Sequence, residues 1–116
     1  MYNFSIPERT FKFGVRIVNL VSGLPKNSAG FAISNQLIRS GTSIGANVEE
    51  AQNAGSRKEF IRSITIALKE ARETLYWLKL IAESKIITLD LSAVASENLE
   101  IIKILTSSIK SAKKKL

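Results

Sequence analysis

The fold is decided by one stretch, residues 36–51, which reads QLIRSGTSIGANVEEA. Its apolar residues recur every three or four positions, so at about 100° per residue they lie on one side of a helix. The polar residues Gln36, Ser40, Ser43, Asn47 and Glu50 repeat in the same way on a neighbouring strip. An ordinary surface helix carries Lys and Glu on such a strip, whereas these groups suit burial with hydrogen-bond partners.

Three further segments show helical spacing of apolar residues. The predicted helices cover about residues 7–22, 28–53, 57–84 and 90–113, and they form one domain over residues 1–116. The predicted fold class is all-α, an antiparallel up-down-up-down four-helix bundle.

Capping residues mark the predicted helix ends. Ser5 and Ser56 each precede a Glu by three positions, which is the capping-box pattern. Gly23 is able to take the left-handed conformation that closes a helix. Thr88 or Asp90 is expected to cap the last helix.

Two features of the first two helices bear on packing. The first helix is apolar over more than half of its circumference, with Phe11, Val15 and Val18 on one face. With a hydrophobic content of 45%, this suggests an extra face buried between subunits. Gly41 and Gly45 lie inside the second helix, where they indicate either a kink or the close approach of another backbone.

The composition argues against an enzyme. The chain has no His and no Cys, which removes the usual general base and the usual metal ligands. Glu70 and Glu73, with Glu49 and Glu50, suggest a di-iron bundle, but such sites need Glu-x-x-His from two helices. We expect no catalytic residue, no metal and no cofactor. The first ten residues lack the pattern of a signal peptide, and no apolar run could span a membrane, so we expect a cytoplasmic protein.

The net charge of +7 favours a polyanionic partner such as RNA or DNA. Basic residues fall on one stripe of the first helix and at the end of the fourth, and in a bundle these could merge into one ridge. A solvated face without a partner is the alternative. The candidate nucleic-acid contacts are Arg9, Lys12, Arg16, Lys110, Lys113 and Lys114.

The polar residues of the second helix suggest a structural network. Arg39 could pair with Glu50, or with Glu70 or Glu73 on the third helix. We expect this network to be buried within the bundle or at a subunit interface, with a ligand pocket as the alternative. Its members are Gln36, Arg39, Ser43, Asn47, Glu50, Glu70 and Glu73.

The second helix also resembles a known family. Its pattern Q-x-x-R-x-x-x-S-x-x-x-N-x-x-E is similar to the signature of the bacterial four helix bundle proteins, also called 23S ribosomal RNA intervening-sequence proteins. Residues 58–60 and 66–78 resemble the third helix of that family. Two departures, Gly45 in place of a common Pro and Ala51 in place of a common Gly, affect the backbone of the second helix.

The resemblance implies a ring-like homopentamer and brings no catalytic residues. It also implies a nucleic-acid context, since some members are encoded within intervening sequences of ribosomal RNA genes. A related branch, the accessory proteins of diversity-generating retroelements, binds nucleic acid and a reverse transcriptase. Two functions follow as hypotheses: a non-enzymatic oligomer that binds RNA or DNA, or a protein-protein adaptor, for example for a reverse transcriptase.

Overall fold

The computed structural model describes residues 5–116, which are all-α and contain no strand. The four helices are α1 (Ile6–Ser22), α2 (Ser28–Gln52), α3 (Arg57–Ser84) and α4 (Ser92–Lys114). Each helix packs against the next in the chain, and α1 also makes a smaller contact with α4. Both ends of each helix lie within two residues of the position that the apolar spacing predicts.

Side-chain caps position the first three helices. Ser5 closes the predicted capping box, since its hydroxyl accepts from the backbone N–H of Glu8 and the Glu8 carboxylate bonds back to Ser5. The Asn27 side chain accepts from Gly30, 2.9 Å away, at the start of α2. Ser56 accepts from the N–H of Glu59, but the Glu59 carboxylate accepts from Gly55 instead of closing the box on Ser56.

The predicted caps of two helix ends differ from those in the structure. Gly23 keeps a right-handed conformation, with φ −96°, and the left-handed residue is Lys85, with φ 56° after α3. The N-cap residue of α4 is Leu91, which has no side-chain cap, and the Asp90 carboxylate accepts from the N–H of Ser92, the first helical residue, at 2.9 Å. That hydrogen bond also holds the pKa of Asp90 below its usual value.

The core is built from one apolar strip of each helix. Phe13 and Ile17 of α1, Leu37 and Ile44 of α2 and equivalent residues of α3 and α4 are fully buried. Four polar side chains of the described residues are also buried, Thr10, Ser40, Thr74 and Asn98, and the amide of Asn98 differs from the three hydroxyls. Asn98 of α4 is fully buried, and neither of its amide atoms has a hydrogen-bond partner within residues 5–116.

The two glycines of α2 mark the close approach of α1, and α2 runs through them without a break. A Cβ atom on Gly41 would lie 2.8 Å from the side chain of Ile17. A Cβ atom on Gly45 would lie 3.2 Å from the backbone oxygen of Thr10. Because the two helices lie this close, the Ile17 side chain packs directly on the backbone of α2 at Gly41 and is fully buried.

We therefore predict that Gly41→Ala lowers the free energy of unfolding by about 1–2 kcal/mol, because overpacking against Ile17 outweighs the gain in helix propensity. Gly14→Ala is the matched control, since its Cβ would meet only Thr42 at 4.0 Å. That variant should gain about 0.5–1 kcal/mol. Urea unfolding of both variants at one protein concentration measures the difference. Equal effects would show that α1 does not approach α2 this closely.

Candidate nucleic-acid interface and assembly surfaces

Arg9 is engaged within the fold. Its Nε atom donates to Glu97 Oε2 at 3.0 Å, and its Nη2 atom donates to Glu97 Oε1 at 2.6 Å. The two side chains are only 14% and 11% exposed. Bidentate pairing of this kind is among the strongest polar contacts in proteins. Arg9 therefore ties α1 to α4, and its contact with nucleic acid stays a prediction.

The other predicted phosphate contacts are exposed but form two groups. Lys12 and Arg16 lie on the surface of α1, whereas Lys110, Lys113 and Lys114 lie on the surface at the end of α4. Lys110 follows Glu97 by thirteen residues, so it lies about 20 Å along α4 from the Arg9–Glu97 ion pair. The basic stripe of α1 and the lysines at the end of α4 are therefore separate groups and do not meet at Arg9.

A polar cluster joins α2 to α3 at the surface. The Arg39 guanidinium donates to Glu70 at 3.1 Å, to Gln36 at 3.2 Å and to Glu73. Trp77 donates from Nε1 to the same Glu73 carboxylate at 3.0 Å. We call these five residues the Arg39 cluster. The sequence suggested Glu50, Glu70 or Glu73 as the partner of Arg39, and the structure pairs Arg39 with Glu70 and Glu73, both on α3.

The Arg39 cluster is not buried inside the bundle, which corrects that part of the expectation. Gln36, Arg39 and Glu50 are exposed, and no hydrogen bond joins Glu50 to the others. Ser43 and Asn47 are half-buried and donate to carbonyls of their own helix. Burial at a subunit interface stays a prediction.

One residue of the polar strip does enter the core. Ser40 is fully buried, and a hydrogen bond of 2.9 Å joins its hydroxyl to that of Thr74 on α3. Thr74 is also fully buried, and its hydroxyl bonds the carbonyl of Glu70. Ser40 follows the buried Leu37 by three positions and so borders the apolar strip, whereas the other residues of the polar strip are exposed or half-buried.

An apolar groove runs between α1 and α2 on the outside of the molecule. Its cavity measures about 760 Å³, and the glycines at positions 14 and 45 leave room for it. Phe11, Val15 and Val18 line it and are 70%, 46% and 43% exposed. The sequence placed these three residues on the main apolar face of α1, but the core takes the neighbouring strip with Phe13 and Ile17.

Neither a metal centre nor a membrane span is found in the described part of the chain. Among residues 5–116, no three His, Cys, Asp or Glu side chains come together as a metal site would require. None of the helices there is long and apolar enough to cross a bilayer. What the surface does offer is charge, one apolar groove between α1 and α2, and the Arg39 cluster.

These features define a small all-α protein of four helices with an uncovered apolar groove and exposed basic residues. The family model for 23S rRNA-intervening sequence proteins matches residues 3–107. The chain belongs to that family, which confirms the resemblance read from the second helix.

A solved structure supports the same assignment. It is the crystal structure of a protein with unknown function from the S23 ribosomal protein family of Bacteroides thetaiotaomicron. That protein is 45% identical in sequence, with a TM-score of 0.85. The match covers 91% of this chain and 99% of the other. No curated protein matches the chain.

The Arg9–Glu97 pair generates a prediction. Arg9→Met and Glu97→Gln should each lower the free energy of unfolding by about 1–3 kcal/mol, because each removes one side of a mostly buried ion pair. The double variant should cost less than the sum of the two, with a coupling energy of about 1–2 kcal/mol. Arg16→Met, on the exposed side of α1, is the control and should change stability by less than about 0.5 kcal/mol. Additive effects at positions 9 and 97 would contradict the pairing.

Proposed function

We propose that this protein is a non-enzymatic, cytoplasmic homo-oligomer that binds the phosphate backbone of RNA or DNA. The observation that carries the proposal is the excess of positive charge at the surface. The net charge is +7, and Arg16, Lys110, Lys113 and Lys114 extend into solvent. Lysines and arginines in such positions neutralise phosphates and release counterions, which gives affinity without reading sequence.

The family supports a nucleic-acid context, since its description names an intervening sequence of 23S rRNA. A catalytic role has little support from the side chains. The chain has no His and no Cys, and the paired carboxylates of Glu70 and Glu73 already accept hydrogen bonds from Arg39 and Trp77. Binding is therefore a better proposal than cleavage.

The apolar groove supports self-association. Phe11, Val15 and Val18 present large apolar side chains to water, and contiguous apolar patches on soluble proteins commonly mark interfaces. The Arg39 cluster offers a different surface with one Arg and one Trp, two residue types that are enriched at interfaces. Two unlike surfaces that meet between copies form a head-to-tail contact, and such contacts form a ring when the rotation from one copy to the next closes. We therefore propose a ring, with the pentamer expected for the family, built from up-down-up-down bundles.

Assembly would strengthen a weak nucleic-acid site. Five copies in one ring present five equivalent basic surfaces to one polyanion. Binding at the first surface raises the effective concentration of the polyanion at the others. Modest phosphate contacts on each chain are therefore sufficient for firm binding by the ring.

The second candidate function is a protein-protein adaptor, and the groove is the observation that favours it. An amphipathic helix of another protein could lie between α1 and α2 with its apolar side chains against Phe11 and Val15. A reverse transcriptase is one partner of this kind. In that case nucleic acid would be held by the partner, and the purified protein alone would not bind it.

A salt titration tests the first function. The purified protein should bind a labelled, structured RNA in a filter-binding assay at 50 mM KCl, and its affinity should fall linearly on a log-log plot against salt. A DNA duplex of the same length should bind with similar affinity, because phosphate contacts do not depend on base sequence. No binding of either nucleic acid at 50 mM KCl would leave the adaptor as the better account.

A further inference from the structure

The C-terminal half of α4 carries a shallow cleft of its own. Its cavity measures about 420 Å³ and is lined by Lys103, Ile104, Ser107, Ser108 and Ser111. All of these residues come from α4, so the cleft is a feature of one helix surface. Lys110 lies on the exposed side of the helix with Lys103 and Ser107, whereas Ser108 is half-buried at the far edge of the cleft. We call Lys103, Ser107, Lys110 and Ser111 the α4 strip.

The serine hydroxyls of the α4 strip are available for a ligand. Helical Ser and Thr residues often donate back to the carbonyl four residues earlier, as Thr106 does to Ile102 at 2.7 Å. The hydroxyls of Ser107 and Ser111 make no such bond, and neither side chain has a hydrogen-bond partner within residues 5–116. Each hydroxyl can therefore donate to an incoming acceptor.

The charge around these hydroxyls has one sign. Residues 101–116 contain five lysines and no acidic residue. Lysines at the end of a helix also complement its dipole, which accounts for positions 113–115. The dipole does not account for Lys103, which lies eleven residues, about three turns, before the end of α4.

The spacing along the helix suits a chain of phosphates. Lys103, Ser107, Lys110 and Lys114 follow at intervals of four, three and four residues, and the intervals rise about 4.5–6 Å along one side of α4. Lysine amines and serine hydroxyls are both common donors to phosphate oxygens. No aromatic residue occurs in α4, so the α4 strip has no platform for stacking bases.

The contact with α1 leaves the α4 strip uncovered. Glu97, Ile104, Ser108 and Ser111 repeat along one side of α4 at seven, four and three residues. α1 is tied to that side at Glu97 through Arg9. Ile104 lies two turns further, where the side is open enough to form the cleft.

We propose that the α4 strip binds the sugar-phosphate backbone of a nucleic acid, with Lys103 and Lys110 on the phosphates and the serine hydroxyls donating between them. This inference rests on the proposed nucleic-acid binding and assigns it to α4 rather than to the stripe on α1. Binding at this site depends on salt and is independent of base sequence. It extends to structured RNA and DNA duplexes, because no base is read.

The test uses fluorescence anisotropy with a labelled 20-base-pair RNA duplex and the full chain in 50–200 mM KCl. The double variant Lys103→Gln/Lys110→Gln should weaken binding about tenfold or more at 100 mM KCl and lower the salt slope by about 2. The matched control is Lys69→Gln/Lys79→Gln, which removes two exposed lysines from α3 and should change affinity by no more than about twofold. The double variant Ser107→Ala/Ser111→Ala should weaken binding severalfold without changing the slope. Circular dichroism checks that each variant is folded.

The outcomes separate this inference from the proposed function. If the unaltered protein does not bind the duplex, the proposed function fails, and with it the inference. If it binds, and the α4 and α3 variants lose affinity equally, the assignment to α4 is overturned while nucleic-acid binding stands. The same holds if Lys12→Gln/Arg16→Gln causes the larger loss, because the site then lies on α1.

Discussion

The close approach of α1 to α2 at Gly41 and Gly45 is the constraint on which the other features depend. Neither position has room for a Cβ atom without movement of its neighbour, Ile17 or the backbone of Thr10. This contact fixes which side of α1 faces the core. Because α1 is apolar over more than half of its circumference, part of its apolar surface does not face the core and is exposed to water. The core with Phe13 and the groove with Phe11 are therefore two consequences of one contact.

The sequence was sufficient to predict the four helices and the family, because both depend on local patterns. Residues 36–51 show the helical spacing directly. Arg39 bonds Glu70 and Glu73 of α3, which are two of the three acidic partners that the sequence suggested. It was not sufficient to choose between faces of α1. Phe11 and Phe13 are the same residue type two positions apart, and only the position of α2 decides that Phe13 is buried.

The candidate nucleic-acid contacts and the polar strip of α2 were likewise predictable only in part from local sequence patterns. Arg9 and Arg16 lie seven residues apart on one stripe, so no local pattern tells them apart. Arg9 alone meets a carboxylate of α4, and this is a property of how the helices pack. In the same way, Ser40 could not be separated from the rest of its polar strip without knowing how far α3 covers α2. The serines of α4 carried no signal in sequence, since a helical serine shows whether it has a partner only in three dimensions.

The surfaces that we assign to assembly and to binding lie on different parts of the molecule. The groove belongs to α1 and α2, whereas the α4 strip lies beyond the contact between α1 and α4. A ring formed through the groove would leave α4 free to meet a polyanion. In this account, the glycine contact produces the groove, the groove produces the ring, and the ring multiplies the basic surface.

The most direct measurement is the molar mass of the protein in solution by light scattering, for the unaltered chain and for Phe11→Lys. The account predicts an oligomer for the unaltered chain and a folded monomer for Phe11→Lys, because a charge in the groove cannot be buried without a partner. Leu89→Lys, which alters an exposed apolar residue outside the groove, should keep the oligomer. A monomeric unaltered chain, or an oligomer that Phe11→Lys leaves intact, would contradict it.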